Sequence, residues 1–262
     1  MTVLITPDKD EFVKYLLNHQ NETNKNIQIK GISQPSIQEN YIISKLLPIE
    51  FDCLSQYLEL VFMPVGKVLY EPGKKLQYVY FPTNCIVSLY YILASGQAAE
   101  TASLGNEGIY GTQLIIGDDS TPISAMVQIA GYAYRLDGNV FKQAFCKSIN
   151  IQELLLEYMQ TLFVQTALIA VCYRHHNIRQ QLSRWLLLTL DRLPSNEMSV
   201  THELVANVLG VRREGITEAA CFLKDEGLIS YRRGHLMVLD RNKLSQYACE
   251  CYTATKNVLK RN

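Results

Sequence analysis

Gly210 constrains this chain more than any other single residue, because it stands between two stretches of helical apolar spacing. On its N-terminal side Thr201 is placed to cap a helix and Glu203 suits the positive end of the first turn. Leu204, Val205 and Val208 then share an inward face, and Ala206 is small where two helices must cross closely. On its C-terminal side Arg212 opens a second helix, buried through Ile216, Ala219, Ala220 and Leu223. A glycine at the junction permits the left-handed backbone of a sharp turn, and Leu209 and Val211 anchor that turn in the core. The pattern predicts a helix-turn-helix.

The second helix leaves Arg212, Arg213, Glu214, Thr217 and Glu218 on its outward, N-terminal side. In such a unit that is the part that reaches base edges in the DNA major groove. Arginine can donate two hydrogen bonds to guanine O6 and N7, and a carboxylate can accept from cytosine N4. Arg213 and Glu214 are therefore the expected readers of adjacent bases, and Thr201 and His202 complete the helical part of the expected DNA-binding set. A solvated charged face is the alternative reading. Beyond it, Leu228-Ile229-Ser230-Tyr231 and Leu236-Met237-Val238-Leu239 flank Arg232-Arg233-Gly234-His235, which predicts a hairpin wing. Arg232 and Arg233 at its tip are expected to meet phosphate oxygens.

The charge distribution agrees with a polyanionic partner for one end only. The chain has 25 basic and 25 acidic residues, yet from residue 173 onward fourteen Lys and Arg face nine Asp and Glu, a net of +5 that leaves −5 on the rest. With 262 residues and 48% apolar composition, two modest domains can form without disulfide or metal staples. The seven cysteines, at 53, 85, 146, 172, 221, 249 and 251, show no paired ligand spacing, so free thiols and no metal are expected. Cys249-Glu250-Cys251 is the only close pair. No phosphate-binding glycine loop or nucleophile motif is present, so no catalytic residues are expected. Arg174-His175-His176 falls at the expected hinge, where a pH-linked or metal-linked role is the lesser reading. The N-terminus lacks a secretory layout and no unbroken apolar run spans a bilayer, so a cytoplasmic protein without a membrane partner is expected.

Along the chain, residues 1–40 are polar and read as a flexible arm with one short helix at Glu11 to Asn18. Order is expected from Tyr41, where Ile42, Ile43, Leu46 and Leu47 make a helical face ended by Pro48. From Val61 to Asp137 short β-type runs (67–70, 78–81, 86–92, 125–129 and 132–136) alternate with glycine and proline turns, implying an antiparallel barrel or sandwich. After Phe141 the period becomes helical for about fifty residues. Ile151, Leu155, Tyr158, Leu162, Gln165, Ile169 and Cys172 recur at steps of four and three, a heptad seam expected to join two copies, with polar Gln165 setting register. A core helix lying on the barrel is the other reading of that seam. Ile178, Leu182, Trp185, Leu186, Leu188 and Thr189 make a further amphipathic helix closed by Pro194.

Leu209-Gly210-Val211-Arg212-Arg213-Glu214-Gly215-Ile216-Thr217-Glu218-Ala219-Ala220, then Glu226-Gly227-Leu228-Ile229, resemble the Crp/Fnr family of bacterial regulators. The β region, with Glu71-Pro72-Gly73 and Gly105-Asn106-Glu107-Gly108, is similar to that family's cyclic-nucleotide-binding-type barrel, and the resemblance covers about residues 45 to 252. It implies an α+β chain: a jelly-roll sensor barrel at 41–147, a dimerisation helix and hinge at 148–176, a winged helix-turn-helix at 177–252 and a tail at 253–262. It also implies a homodimer that reads a two-fold operator, regulates transcription and contacts RNA polymerase. Glu218 sits where the family's cyclic-AMP receptor carries a further base-contacting Arg, so a different operator is expected.

The barrel is expected either to sense an effector, near Glu107, Gly108, Ile123 and Ser124, or to work without a ligand. In Thr121-Pro122-Ile123-Ser124-Ala125, however, Ile123 takes the place of the phosphate-clamping Arg, and a buried anion without a cationic partner is expensive. Cyclic nucleotide is therefore not expected, and no other cofactor is indicated. The second function class is a ligand-sensing module whose helical C-terminal domain docks a protein instead of DNA.

Overall fold

A computed structural model describes residues 34–117, 121–232 and 234–259. The arm at 1–33, including the helix expected at Glu11 to Asn18, lies outside the described residues. Residues 34–40, assigned above to that arm, are instead built into the body. Ser36 and Glu39 close a capping box on a 3-10 turn at Ile37–Glu39. The buried Asn40 amide donates to Pro82 O and Gly108 O, both at 2.8 Å.

Two short helices follow, α1 (Tyr41–Ser44) and α2 (Pro48–Ser55). Ile42 and Ile43 are buried as expected, but Pro48 opens α2 at its first position, where a missing N–H costs nothing. Next come β1 (Glu59–Met63), β2 (Val68–Tyr70), β3 (Tyr78–Pro82), β4 (Ile86–Ile92), β5 (Ala98–Leu104), the short helix α3 (Gln113–Ile116), β6 (Ser124–Ile129) and β7 (Gly131–Asp137). They form two antiparallel sheets, β1-β7-β3 and β2-β6-β4-β5. The sheets are not closed into the expected barrel, since closure would require the edge strands to pair across. Edge strand β2 is only three residues long and β5 is covered by helices, so neither edge is left as a long open template.

Asp137 caps α4 (Gly138–Lys147), and Ser148 caps α5 (Ile149–His175), a helix of 27 residues spanning about 40 Å. By length and apolar composition α5 would suffice to cross a membrane, although the sequence shows no unbroken apolar run of that length. Its seam nevertheless faces the protein itself. Ile151, Leu155 and Tyr158 pack with Ile43, Val79, Phe81, Leu136 and Phe141, while Gln165, only 2% exposed, Ile169 and Cys172 are buried further along. The expected dimer seam is therefore an internal contact, because the β region and the C-terminal helices occupy the side it presents. Leu162 on the same side is partly buried against the same cluster.

The C-terminal region holds α6 (Ile178–Leu190), β8 (Glu197–Ser199), α7 (His202–Leu209), α8 (Arg213–Asp225), β9 (Ile229–Arg232), β10 (His235–Val238), α9 (Arg241–Tyr247) and α10 (Cys251–Leu259). Helix α6 is buried at every residue from Gln181 to Leu190 rather than on one face, since α8, α9 and α10 pack around it. Its apolar residues centre a core shared with Ile216, Leu223, Leu236 and Leu244.

Candidate nucleic-acid interface

Thr201 accepts a hydrogen bond from Leu204 N at 3.1 Å and so starts α7, as its side chain predicts. Gly210 adopts φ 64° and ψ 32°, the left-handed conformation that ends α7, and Val211 N donates back to Ala206 O. Arg212 is the N-cap of α8, and Ile216, Ala219, Ala220 and Leu223 are its buried face. This burial orients the remaining residues: Arg212, Arg213, Glu214, Thr217 and Glu218 are all exposed on the first two turns of α8.

Hydrogen bonds and stacking hold the two helices and the wing as one unit. The His202 ring stacks on Tyr231 of β9, with centroids 4.5 Å apart. Thr217 donates its hydroxyl proton to Arg213 O at 3.1 Å, which leaves its oxygen to accept from His202 Nδ1 at 3.0 Å. Partial burial and the charge of Arg213 push the His202 pKa down, which favours the neutral ring. His202 thus acts as a spacer beneath α8 as much as a surface group. Tyr231 Oη donates to Val200 O and Val200 N donates to Gly234 O, which ties the hairpin to the start of α7.

The hairpin belongs to a three-stranded sheet of order β8-β10-β9, and β8 was not anticipated. Its three residues, Glu197-Met198-Ser199, offer little β signal of their own and become a strand by pairing with His235–Met237. Arg232 is exposed at the tip, while Arg233 lies outside the described residues. Arg179, at the start of α6, was also missed: it pairs with Glu218 at 3.6 Å and lies over the Phe222 ring. Nothing local in the sequence joins residues 179 and 218. The packing of α6 on α8 does.

Residues 180–247 match the family model described as the Crp-like helix-turn-helix domain. This segment is similar to that domain. The fold of the larger part of the chain is that of solved Crp/Fnr-type regulators. A protein assigned to the crp/fnr family of transcriptional regulators from Eubacterium rectale ATCC 33656 aligns at 17% identity and a TM-score of 0.64, covering 80% of this chain and 98% of that one. FixK2 from Bradyrhizobium japonicum aligns at 15% identity and a TM-score of 0.60, covering 73% and 98%. A CRP-family transcriptional regulator from Thermus thermophilus, TTHB099, aligns at 16% and 0.60, covering 72% and 95%. No curated protein sequence gives a significant match.

The Crp-like domain is held against the sheets by an ion pair in the place where an effector was expected. Glu107 meets Arg192, which follows α6, with Arg192 Nη2 2.6 Å from Glu107 Oε1. A side chain added at Gly108 would collide with the Tyr158 ring of α5, so that spot is filled from within. Ser124 pairs with Tyr90 near one end of β4, whereas Leu104, three residues before Glu107, pairs with Val87 near the other. Glu107 and Gly108 follow β5, Ile123 and Ser124 stand at the start of β6, and β5 and β6 flank β4 on opposite sides.

Proposed function

We propose that this protein is a sequence-specific, DNA-binding transcription regulator that works as a homodimer, in the cytoplasm and in contact with RNA polymerase. The observation that carries the reading is the exposed group Arg212, Arg213, Glu214, Thr217 and Glu218 on the leading end of α8, beside the Arg232 wing. An α-helix fits the major groove, and Arg213 and Glu214 are the types that discriminate guanine and cytosine edges. Arg232 would position the domain on phosphate without reading sequence.

Dimerisation is assigned to the outer face of α5. Ile149, Leu156 and Phe163 recur every seven residues, and Leu156 and Phe163 are 62% and 71% exposed. A stripe at this spacing is what a second parallel helix covers. The opposite face of the same helix packs on the protein's own sheets, which favours a second copy over a bilayer as the covering surface. The β domain is proposed to work without cyclic nucleotide: Ile123 offers no cation, and Glu107 already has Arg192.

Selection of bound sites from a random duplex library by purified full-length protein tests the reading. Enrichment of a two-fold symmetric site, with half-sites about one helical turn apart, is the expected result. Failure of folded, dimeric protein to enrich any site, with or without cell extract, would overturn it.

A further inference from the structure

Four side chains that are far apart in sequence meet where the long helix ends. Cys172 and His176 lie one turn apart at the C-terminus of α5 and share a face; His176 caps that helix, its N–H donating to Cys172 O. Cys249 and Cys251 flank Glu250 at the start of α10. Cys172 Sγ is 3.6 Å from Cys249 Sγ, Cys251 Sγ is 3.7 Å from His176 Nδ1, and all four donor atoms lie within 4.8 Å of one another. The three cysteines are buried and their thiols are free.

We infer that Cys172 Sγ, His176 Nδ1, Cys249 Sγ and Cys251 Sγ bind a single zinc ion. Three sulfurs and one imidazole nitrogen form a donor set that selects zinc over the oxygen-seeking calcium and magnesium. Ligands held at about 2.3 Å around a tetrahedral ion stand about 3.8 Å apart, which the two separations above approach. A multi-iron cluster would hold its thiolates farther apart. On binding, zinc displaces the three thiol protons to solvent.

The surroundings fit the same ion. His176 Nε2 faces Glu250 Oε1 at 3.3 Å, so a carboxylate orients the ring and leaves Nδ1 toward the cluster. Three thiolates and a zinc ion carry a net charge of −1, and the buried Arg184 guanidinium is near enough to act electrostatically on Cys172 and Cys251. No sequence rule joins these residues. Two cysteines one residue apart diverge on a helix, but Cys249 precedes α10 and escapes that geometry.

The ion would tie the end of α5 to α10, which packs on both α5 and α6, while α6 carries α8. Occupancy would therefore set the angle at which the DNA-reading helix leaves the long helix. This coupling rests on the DNA-binding reading above; the zinc site does not.

The test uses full-length protein purified under thiol reductant. The expected result is one zinc per chain by elemental mass spectrometry. After chelation, added Co(II) should give the intense visible bands of a tetrahedral site with thiolate charge transfer. Cys249→Ser/Cys251→Ser should lose both signals, and Glu250→Gln should bind zinc roughly 10- to 100-fold more weakly. Should the double variant fail to fold by circular dichroism, the Co(II) spectrum of the native chain decides alone. Folded, reduced protein that retains no zinc and gives only an octahedral Co(II) spectrum would overturn the site, as would equal zinc in native and doubly substituted chains. Chelation should also weaken binding to the selected operator, with recovery on adding zinc. Zinc binding with unchanged operator affinity would overturn the coupling, and zinc binding with no operator affinity in either state would count against the DNA reading instead.

Discussion

Arg192 and Glu107 form an ion pair across the junction between the β sheets and the Crp-like domain, with side chains only 5% and 11% exposed. Arg192 also donates to Ser103 Oγ at 3.0 Å and Ser103 O at 3.2 Å, so the guanidinium is satisfied on the sheet side. Removing one member strands a buried charge. Arg192→Ala is expected to destabilise the chain by about 3–5 kcal/mol, read from urea unfolding. A loss under about 1 kcal/mol, the worth of an exposed pair, would show that the junction opens freely in solution.

Gly210 has φ +64°, and a Cβ there would stand 3.2 Å from the Ala99 Cβ of β5. Gly210→Ala combines left-handed strain of about 1–2 kcal/mol with a tight contact against the sheet. A lowered thermal midpoint is expected, with the helices of the domain still formed. An unchanged midpoint would mean that the turn relaxes to a different backbone.

Arg213 and Arg232 should separate reading from positioning. Arg213→Ala is expected to lose about 1–3 kcal/mol of affinity for the selected operator and to relax specificity at one base pair. Arg232→Ala should weaken all duplexes alike and lower the salt slope by about 1. Fluorescence anisotropy over a potassium chloride series measures both. Equal effects of the two variants on specific and non-specific duplexes would remove the base-reading assignment.

On the outer face of α5, Phe163→Glu puts a charge into the stripe shared with Leu156. Sedimentation velocity should find dimer in the native chain and monomer in the variant at micromolar concentration, with the monomer folded. A dimeric variant would move the interface elsewhere, whereas Gln165→Leu, on the buried side, should leave the dimer intact.

Glu100 on β5 is buried beside Ser88, which donates to it, and Gln128. Burial pushes its pKa up to about 7, against the lowering effects of the Ser88 hydrogen bond and of Arg192 and Arg184. The folded chain therefore holds this proton more tightly than the unfolded chain. Its contribution to stability is full below the ordinary carboxylate range and is lost as pH rises toward about 7, amounting to something on the order of 3 kcal/mol. Glu100→Gln should flatten that decline in urea midpoints measured from about pH 5 to about pH 8. An unchanged slope would place the titration elsewhere.

The turn at Gly210, the buried face of α8 and the outward Arg213 and Glu214 were legible in the residues because they depend on interactions within a few positions. Helix caps, left-handed glycine and apolar spacing act locally, so the recognition unit could be read before any tertiary contact was known. The heptad on α5 was equally visible, but periodicity reports only that a face is covered and not by what. The fold assigned Ile151 through Cys172 to the chain's own core and left Leu156 and Phe163 outside. Strand β5, Ala98-Ala99-Glu100-Thr101-Ala102-Ser103-Leu104, carries small and polar residues and is a strand because β4 pairs with it. The meeting of Arg192 with Glu107, and of Cys172 and His176 with Cys249 and Cys251, joins segments roughly eighty residues apart. Such meetings are decided by how whole helices stack on sheets and on one another, and no local preference encodes that.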